Sequence, residues 1–259
     1  MTKFEELSLN PVMQRLSLIL KDEDPTVYFV GGTVRDMVLG RPIHDVDLAV
    51  ATDAIPLTFR LANELGYPAF VMDRGRNVGR ILSPDNDWII DVAQFREPEL
   101  RGDLFGRDFN MNALALPVTG HTFHDVIDPF GGLRDIESGQ IGVVHRRSIE
   151  EDPVRALRGV RFAVELSFAL TPEVIALSRD AAGIISERAS PERIRDELSR
   201  ILLSGEPDRG IAMLLELNLL PVVLPGISAL YGVEQSAPHH EHVFAHTLTV
   251  LKYLVQLER

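Results

Sequence analysis

Tyr28–Phe29–Val30–Gly31–Gly32–Thr33–Val34–Arg35–Asp36, followed by His44–Asp45–Val46–Asp47–Leu48–Ala49–Val50, decides how this chain is read. The first stretch is an apolar run of strand type that enters two glycines and continues as a helix with an arginine in its first turn. Glycines let a phosphate approach backbone N–H groups, and a helix N-terminus favours an anion. The same letters also suit a plain tight turn between strand and helix. In the second stretch, residues two apart on a strand project to one side, so Asp45 and Asp47 point together. Such carboxylates repel unless a cation lies between them, and an all-oxygen pair suits Mg²⁺ with substrate phosphates completing its shell. Two ordinary aspartates at an exposed strand end are the plainer alternative. Only Thr33–Ile43 separates the glycines from His44, so the turn and the acidic pair form one compact unit. A phosphate cradle beside a paired-carboxylate metal site is the layout that nucleotidyl transfer requires.

Outward from that unit, Val27–Val30, Val46–Val50, Ala69–Met72, Gly79–Leu82 and Trp88–Ala93 read as strands. Thr33–Leu39 and Ile55–Leu65 read as helices between them, the first stopped by Gly40 with Pro42 beyond. Strands interleaved with helices predict an α/β domain to about Gly142. Asp91, in the later strand Ile89–Ile90–Asp91–Val92–Ala93, is a candidate third carboxylate whose position along the strand stays open. From Ile149 strand signals vanish. Pro153–Leu166, Pro172–Ala181, Pro191–Leu203 and Asp208–Leu217 read as helices opened by a proline or a capping residue. In the third, Ile194, Leu198, Ile201 and Leu202 recur at helical spacing and predict its buried face. Another element begins at His239–Leu257.

Composition bounds the rest. The chain has 259 residues, 45% of them hydrophobic and 25% charged, which excludes a fully disordered protein. No apolar run approaches a membrane span, and Met1–Lys21 lacks a signal-peptide layout, so a cytoplasmic protein with no membrane association is expected. There is no cysteine, hence no disulfide, thiolate metal site or cysteine nucleophile. Lys+Arg 26 against Asp+Glu 38 leaves a net charge of −12, which disfavours indiscriminate binding to polyanions. The cations are almost all arginine, since only Lys3, Lys21 and Lys252 are lysines. Arginine's planar fork suits phosphates and base edges, so any polyanion site must be a local patch.

GGTVRD followed by DVD resembles the class II tRNA nucleotidyltransferase and bacterial poly(A) polymerase family. Four further segments continue the resemblance: Gly106–Leu114 (GRDFNMNAL), Asp128–Gly132 (DPFGG), Glu151–Arg155 (EDPVR) and Ser190–Leu198 (SPERIRDEL). The ordered matches run from Val27 to Leu203. The resemblance implies an α/β head with the DNA polymerase β-type nucleotidyltransferase sheet, an all-helical neck and the start of a helical body. The expected divisions are 1–142, 143–205 and 206–259. It implies Mg²⁺ held by Asp45 and Asp47, triphosphate contacts near Gly31, Gly32 and Arg35, and a nucleotide site lined by Arg107, Asp108 and Asn112. Asp108 can equally cap a helix starting at Phe109.

In the same family a carboxylate and an arginine equivalent to Asp152 and Arg155 act as a protein template for the base. Three residues apart on a helix, the two share a face. Cytosine and adenine both present an amino donor beside a ring-nitrogen acceptor, which a carboxylate plus a guanidinium complements, whereas uracil and guanine offer the reverse. Asp152 before Pro153 is also a good helix cap. Arg158 and Arg161 extend the basic side of this helix toward triphosphate or RNA, with pairing to Glu165 or Glu151 as the alternative. Val154, Leu157, Val160 and Val164 form its apolar side. Arg146 and Arg147 are candidates for the same patch. The implied activity is addition of C, or C and A, to the 3′ end of tRNA from CTP and ATP. Poly(A) polymerase and a non-catalytic RNA-binding remnant are the competing readings.

Three departures from the family pattern stand out. Gly106 and Asn110 replace an arginine and a threonine of the family's RRDFT segment. Phe95–Arg96 is followed almost at once by Arg107, whereas members that build complete CCA ends usually carry a longer basic loop there; members adding only CC resemble the short form. Third, His239, His240, His242 and His246 resemble the opening of an HD-type domain, but no His–Asp pair follows His246. The only such pairs are His44–Asp45 and His124–Asp125. The expectation is a truncated chain, or one whose tRNA-binding tail has been lost, without phosphohydrolase activity.

Overall fold

The computed structural model describes residues 7, 9–23, 25–85, 87–235 and 241–258. It divides into two compact units, Met1–Glu137 and Ser138–Arg259.

The first unit is built on a six-stranded mixed sheet. In chain order its elements are α1 (Pro11–Leu20), β1 (Tyr28–Val30), α2 (Gly32–Val38), β2 (Asp45–Val50), α3 (Ala54–Leu65), β3 (Ala69–Asp73), β4 (Val78–Leu82), β5 (Ile89–Gln94), α4 (Leu100–Phe105), β6 (Ala115–Pro117) and α5 (Gly132–Ser138). The strands lie in the order β3-β4-β5-β2-β1-β6, with β2 and β5 parallel and the other neighbours antiparallel. Strict alternation sorts the two faces. Val46, Leu48 and Val50 of β2, Ile90 and Val92 of β5, and Ile81 of β4 enter the core with Leu57, Leu61 and Leu65 of α3 and Met13, Leu16 and Leu20 of α1. The polar residues between them therefore share the opposite face.

The five expected strands are present, and a sixth joins them. β6 pairs with β1 through Phe29↔Leu116 and lies within the apolar stretch Ala113–Val118, too short for periodicity to classify. The sequence reading also omits α1, although Asn10 caps it by accepting from the Met13 amide at 2.9 Å and Pro11 occupies its first turn.

The second unit is almost wholly helical. It comprises β7 (Gln140–Ile141), α6 (Ser148–Glu151), α7 (Val154–Leu166), β8 (Ala169–Leu170), α8 (Pro172–Ala181), α9 (Ile185–Arg188), α10 (Pro191–Leu202), α11 (Pro207–Glu216), α12 (Leu220–Val223), α13 (Pro225–Ser228) and α14 (Val243–Glu258). The expectation of no strand beyond Ile149 is corrected by β8, a two-residue strand parallel to β7. The buried side of α7 is as expected, with Val154, Leu157, Val160 and Val164 all inside.

The buried face predicted for α10 needs correction. Ile201 is buried and Ile194 and Leu198 partly so, but Leu202 is 39% exposed and Glu197 is buried in its stead. A hydrophobicity pattern cannot anticipate a buried carboxylate, which is tolerated here because two arginines meet it. No helix among the described residues is long and apolar enough to cross a membrane.

Candidate active site

On the polar face of the first unit, three strands place charged residues in one row. The register pairs Asp47 with Asp91 across the parallel strands β2 and β5, and Asp91 with Arg80 across the antiparallel strands β5 and β4. Arg80 grips Asp91 with a two-pronged bond, Nε to Oδ1 and Nη2 to Oδ2, both 2.7 Å. Asp91 is thus brought beside the acidic pair but is already engaged. Its carboxylate, through that bond, raises the Arg80 guanidinium above its ordinary value.

Asp45 is exposed at the mouth of β2 and Asp47 is half-buried two residues deeper. The Asp47 carboxyl is pushed up from 3.8 to about 6, chiefly by burial. Arg107 opposes that shift, Asp91 and Asp45 add to it, and Arg80 weakly opposes it. A hard divalent cation would relieve this repulsion, and the oxygen-only donors fit one. Among the described residues no group of three or more His, Asp or Glu converges to hold a metal unaided. Such an ion would therefore be held by two carboxylates, with the remaining positions open to substrate and water.

The glycine turn is tied to this row. Gly31 adopts φ +67°, and a side chain there would collide with the Arg107 guanidinium. The backbone angle calls for glycine, and a side chain there would oblige the Arg107 guanidinium to move. Gly32 opens α2, with the Arg35 guanidinium close by. Arg107 also bonds Asp103 at 3.2 Å.

Arg35, Asp108 and Asn112 are brought together in a buried chain. Arg35 Nη1 donates to Asn112 Oδ1 at 2.7 Å, and Asn112 Nδ2 donates to Asp108 Oδ1 at 2.9 Å. Arg35 is further paired with Asp36 through Nε at 3.0 Å and Nη2 at 2.8 Å. Asp108 also accepts from the adjacent Phe109 amide at 2.8 Å, but the short helical turn begins at Asn110 with Phe109 at its cap position, so the capping alternative does not hold. Asn110 bonds the buried Asp135 at 2.9 Å, and Gly132 packs so tightly on the Asn110 backbone that no side chain fits.

The remaining four candidates lie in the second unit. Asp152 does not cap α7, for neither α6 nor α7 has a side-chain cap bond. Pro153 takes the cap position, and the Asp152 side chain turns to Arg193 instead, 2.7 Å away. Arg155 Nε is 3.8 Å from the same carboxylate oxygen, so Asp152 and Arg155 share a face. Arg158 and Arg161 are brought together by Glu197 at 2.8 and 2.7 Å, and Arg161 also bonds Glu165 at 2.9 Å. Arg161 is buried over the Phe162 ring, as a buried guanidinium with two carboxylates should be. Arg146 pairs with Glu173 and Arg147 with Glu151, both at exposed sites. His242 and His246 fall at the start of α14, whereas His239 and His240 lie outside the described residues.

Several residues with a part in these sites escape a sequence reading. Thr33 is one: buried at 1% exposure, its hydroxyl accepts from the Asp47 amide at 2.8 Å and donates to the Asp45 carbonyl at 3.3 Å. Arg80, Ser148, Arg193 and Glu197 are the others. Arg80 had a usable signal, a charge alternating with Gly79 and Ile81 on a strand. The rest depend on contacts between distant parts of the chain.

Comparison with known proteins places these sites in context. A family model described as the poly A polymerase head domain matches residues 27–100 and 97–142. A second, described as a probable RNA and SrmB-binding site of polymerase A, matches residues 167–230. The chain is 34% identical to the multifunctional CCA protein of Neisseria gonorrhoeae (strain NCCP11945), over 87% of this chain and 56% of that protein. It is 33% identical to the A-adding tRNA nucleotidyltransferase of Deinococcus radiodurans, over 89% of this chain and 52% of that one. The solved structure of the Thermotoga maritima CCA-adding enzyme complexed with tRNA superposes with a TM-score of 0.75 at 27% identity. The match covers 92% of this chain and 58% of that one. The chain thus spans little more than half the length of the curated relatives it matches.

Proposed function

The chain belongs to the tRNA nucleotidyltransferase and poly(A) polymerase family, and from that membership we propose that it adds C, or C and A, to the 3′ end of tRNA. CTP and ATP are the donors and pyrophosphate is the leaving group. The observation that carries this reading is the acidic pair Asp45 and Asp47 on one side of β2, next to the Gly31–Gly32 turn and Arg107.

In this proposal Asp45 and Asp47 hold Mg²⁺, which when bound supplies charge neutralisation for the triphosphate and lowers the pKa of the attacking hydroxyl. Burial and the neighbouring acids leave Asp47 poised to trade a proton for a metal. The tRNA 3′-hydroxyl gives up its proton to solvent and bonds to the α-phosphorus, while the bond to the bridging oxygen breaks and pyrophosphate departs. Arg107, next to the glycine turn, is assigned to the triphosphate, with the Gly32 amide, since the Gly31 amide is taken by the Leu114 carbonyl. Asp108 and Asn112 are assigned to the ribose side, and the bonds from Asn112 to Arg35 and Asp108 set their positions. Asp91, held by Arg80, contributes negative field next to Asp47. Asp152 and Arg155 read the base edge. Arg158 and Arg161, which Glu197 secures, set the geometry of that helix. A division into head 1–142, neck 143–205 and body 206–259 belongs to the same proposal.

The connection from β5 to Arg107 is short and already contains α4, which favours addition of C without A. The test offers tRNA lacking its terminal CCA each nucleotide separately and then CTP with ATP. Stepwise incorporation of C supports the reading, and long A tracts from ATP alone would assign poly(A) synthesis instead. The double change Asp45→Ala with Asp47→Ala is expected to abolish incorporation while the protein still unfolds cooperatively and at no lower temperature. Incorporation surviving in that variant would remove the metal assignment.

A further inference from the structure

We propose that Arg193, on α10, is the residue that fixes base specificity by holding the Asp152 carboxylate in its reading position. The inference rests on the assignment of Asp152 and Arg155 as the base-reading pair, and it adds a third member to that pair.

The two members of the pair are secured in different ways. Arg155 is anchored from inside the unit, since its Nη1 donates to Ser148 Oγ at 2.7 Å and to the Ser148 carbonyl at 3.3 Å, and Ser148 is fully buried. Asp152 has no such internal anchor. It sits where α6 ends and Pro153 begins α7, and its side chain caps neither helix. Its backbone carbonyl accepts from the Arg155 amide at 3.0 Å, which places the Cα but not the carboxylate. The side chain is oriented by Arg193 Nη2, 2.7 Å from Oδ2, with Arg155 Nε more distant at 3.8 Å.

This arrangement engages Oδ2 and leaves Oδ1 to accept the amino group of cytosine or adenine. Rejection of uracil depends on the same fixed geometry, because a carbonyl facing a carboxylate oxygen sets two acceptors against each other. A carboxylate released from Arg193 can rotate away and relieve that clash. Discrimination is then lost mainly by gain of the wrong base. Arginine reaches Asp152 from α10 through one charge-assisted bond, Nη2 to Oδ2, a span that the shorter lysine side chain covers less well. The start of α10 does not depend on this contact, since Ser190 caps it through the Arg193 amide and Pro191 occupies the first turn. The Arg193 side chain is 46% exposed, so its removal leaves no cavity.

The experiment measures equilibrium binding of CTP, ATP, UTP and GTP to the whole chain with Mg²⁺. It compares the unmodified protein, Arg193→Ala, Arg193→Lys and Arg195→Ala, with thermal transitions alongside. Arg195 is an exposed neighbour that pairs with the adjacent Asp196, and its variant is expected to keep the CTP-over-UTP preference unchanged. Arg193→Ala is expected to shrink that preference by roughly three- to tenfold, the scale of a half-exposed ion pair, at an unchanged thermal transition. Arg193→Lys is expected to recover only part of it. A full preference retained in Arg193→Ala would overturn the inference alone. No preference in the unmodified chain would overturn the base-reading assignment and the inference with it.

Discussion

The hydroxyl of Thr33 bridges the two residues of the acidic pair by their backbones, accepting from the Asp47 amide at 2.8 Å and donating to the Asp45 carbonyl at 3.3 Å. The β1–β2 ladder pairs Phe29 with Leu48 and Tyr28 with Ala49. Beyond Val30 the chain turns into the glycines, and the Gly31 amide bonds the Leu114 carbonyl instead. The Thr33 side chain takes over where the ladder stops, so the helix after the turn also sets where the carboxylates stand. Thr33→Val, equal in shape but lacking the hydroxyl, is expected to lower kcat more than tRNA or nucleotide KM and to raise the Mg²⁺ concentration needed for half-maximal rate. Thr33→Ser should restore both. The destabilisation should be about 1–3 kcal/mol, the usual consequence of an unsatisfied buried amide, and denaturant unfolding would measure it.

The raised Asp47 carboxyl makes stability depend on pH. A group at 3.8 when unfolded and about 6 when folded favours the folded state fully below 3.8, and that advantage is lost as pH rises through 6. Asp47→Asn removes the ionisation. In metal-free buffer it is expected to stabilise the protein at pH 8 by roughly 1–3 kcal/mol and to change little near pH 4. Added Mg²⁺ should narrow the difference at pH 8 by stabilising the unmodified protein. Unfolding curves at the two pH values, with and without the cation, would test this. An equal effect of the substitution at both pH values would contradict it.

Arg80 and Asp91 should behave as one unit. Their paired 2.7 Å bonds lie on the sheet at about a quarter exposure, where each charge needs the other. Single alanine substitutions are each expected to destabilise, and the double substitution to fall well short of their sum. The coupling should be about 1–3 kcal/mol in a double-mutant cycle. Arg80→Ala also leaves Asp91 bare next to Asp47, so it should cost activity beyond its effect on stability.

Glu197 supports two arginines from a nearly buried position. Glu197→Ala leaves buried Arg161 with Glu165 alone and takes the partner from Arg158, and is expected to destabilise by about 1–3 kcal/mol. Replacing Arg161 by Met and Glu197 by Leu together should recover most of that loss, because an apolar pair needs no ionic partner. Thermal unfolding of the two variants would separate these outcomes.

Much of this molecule was legible in the order of its residues. The alternation in β2 put Asp45 and Asp47 on one side, and the cap and proline signals located α8 and α10. The Val154–Val164 spacing marked the buried side of α7. These are local properties, set by strand and helix periods that act over a few residues. The motif order likewise pointed to the family, since each segment is short and carries its own chemistry.

What only the tertiary structure decided is which partner each charge found. Asp91 meets Arg80 and stands opposite Asp47 because of strand register, which no spacing along one strand specifies. Asp152 turns to Arg193 rather than capping its helix, and Glu197 enters the interior in place of Leu202, because residues some forty positions away supply the guanidinium groups. A charge can be buried or oriented only when its counter-ion arrives through folding. The sequence by itself therefore determined most of the local elements and the buried side of α7, whereas α10's buried face and the arrangement of the site's charges had to await packing.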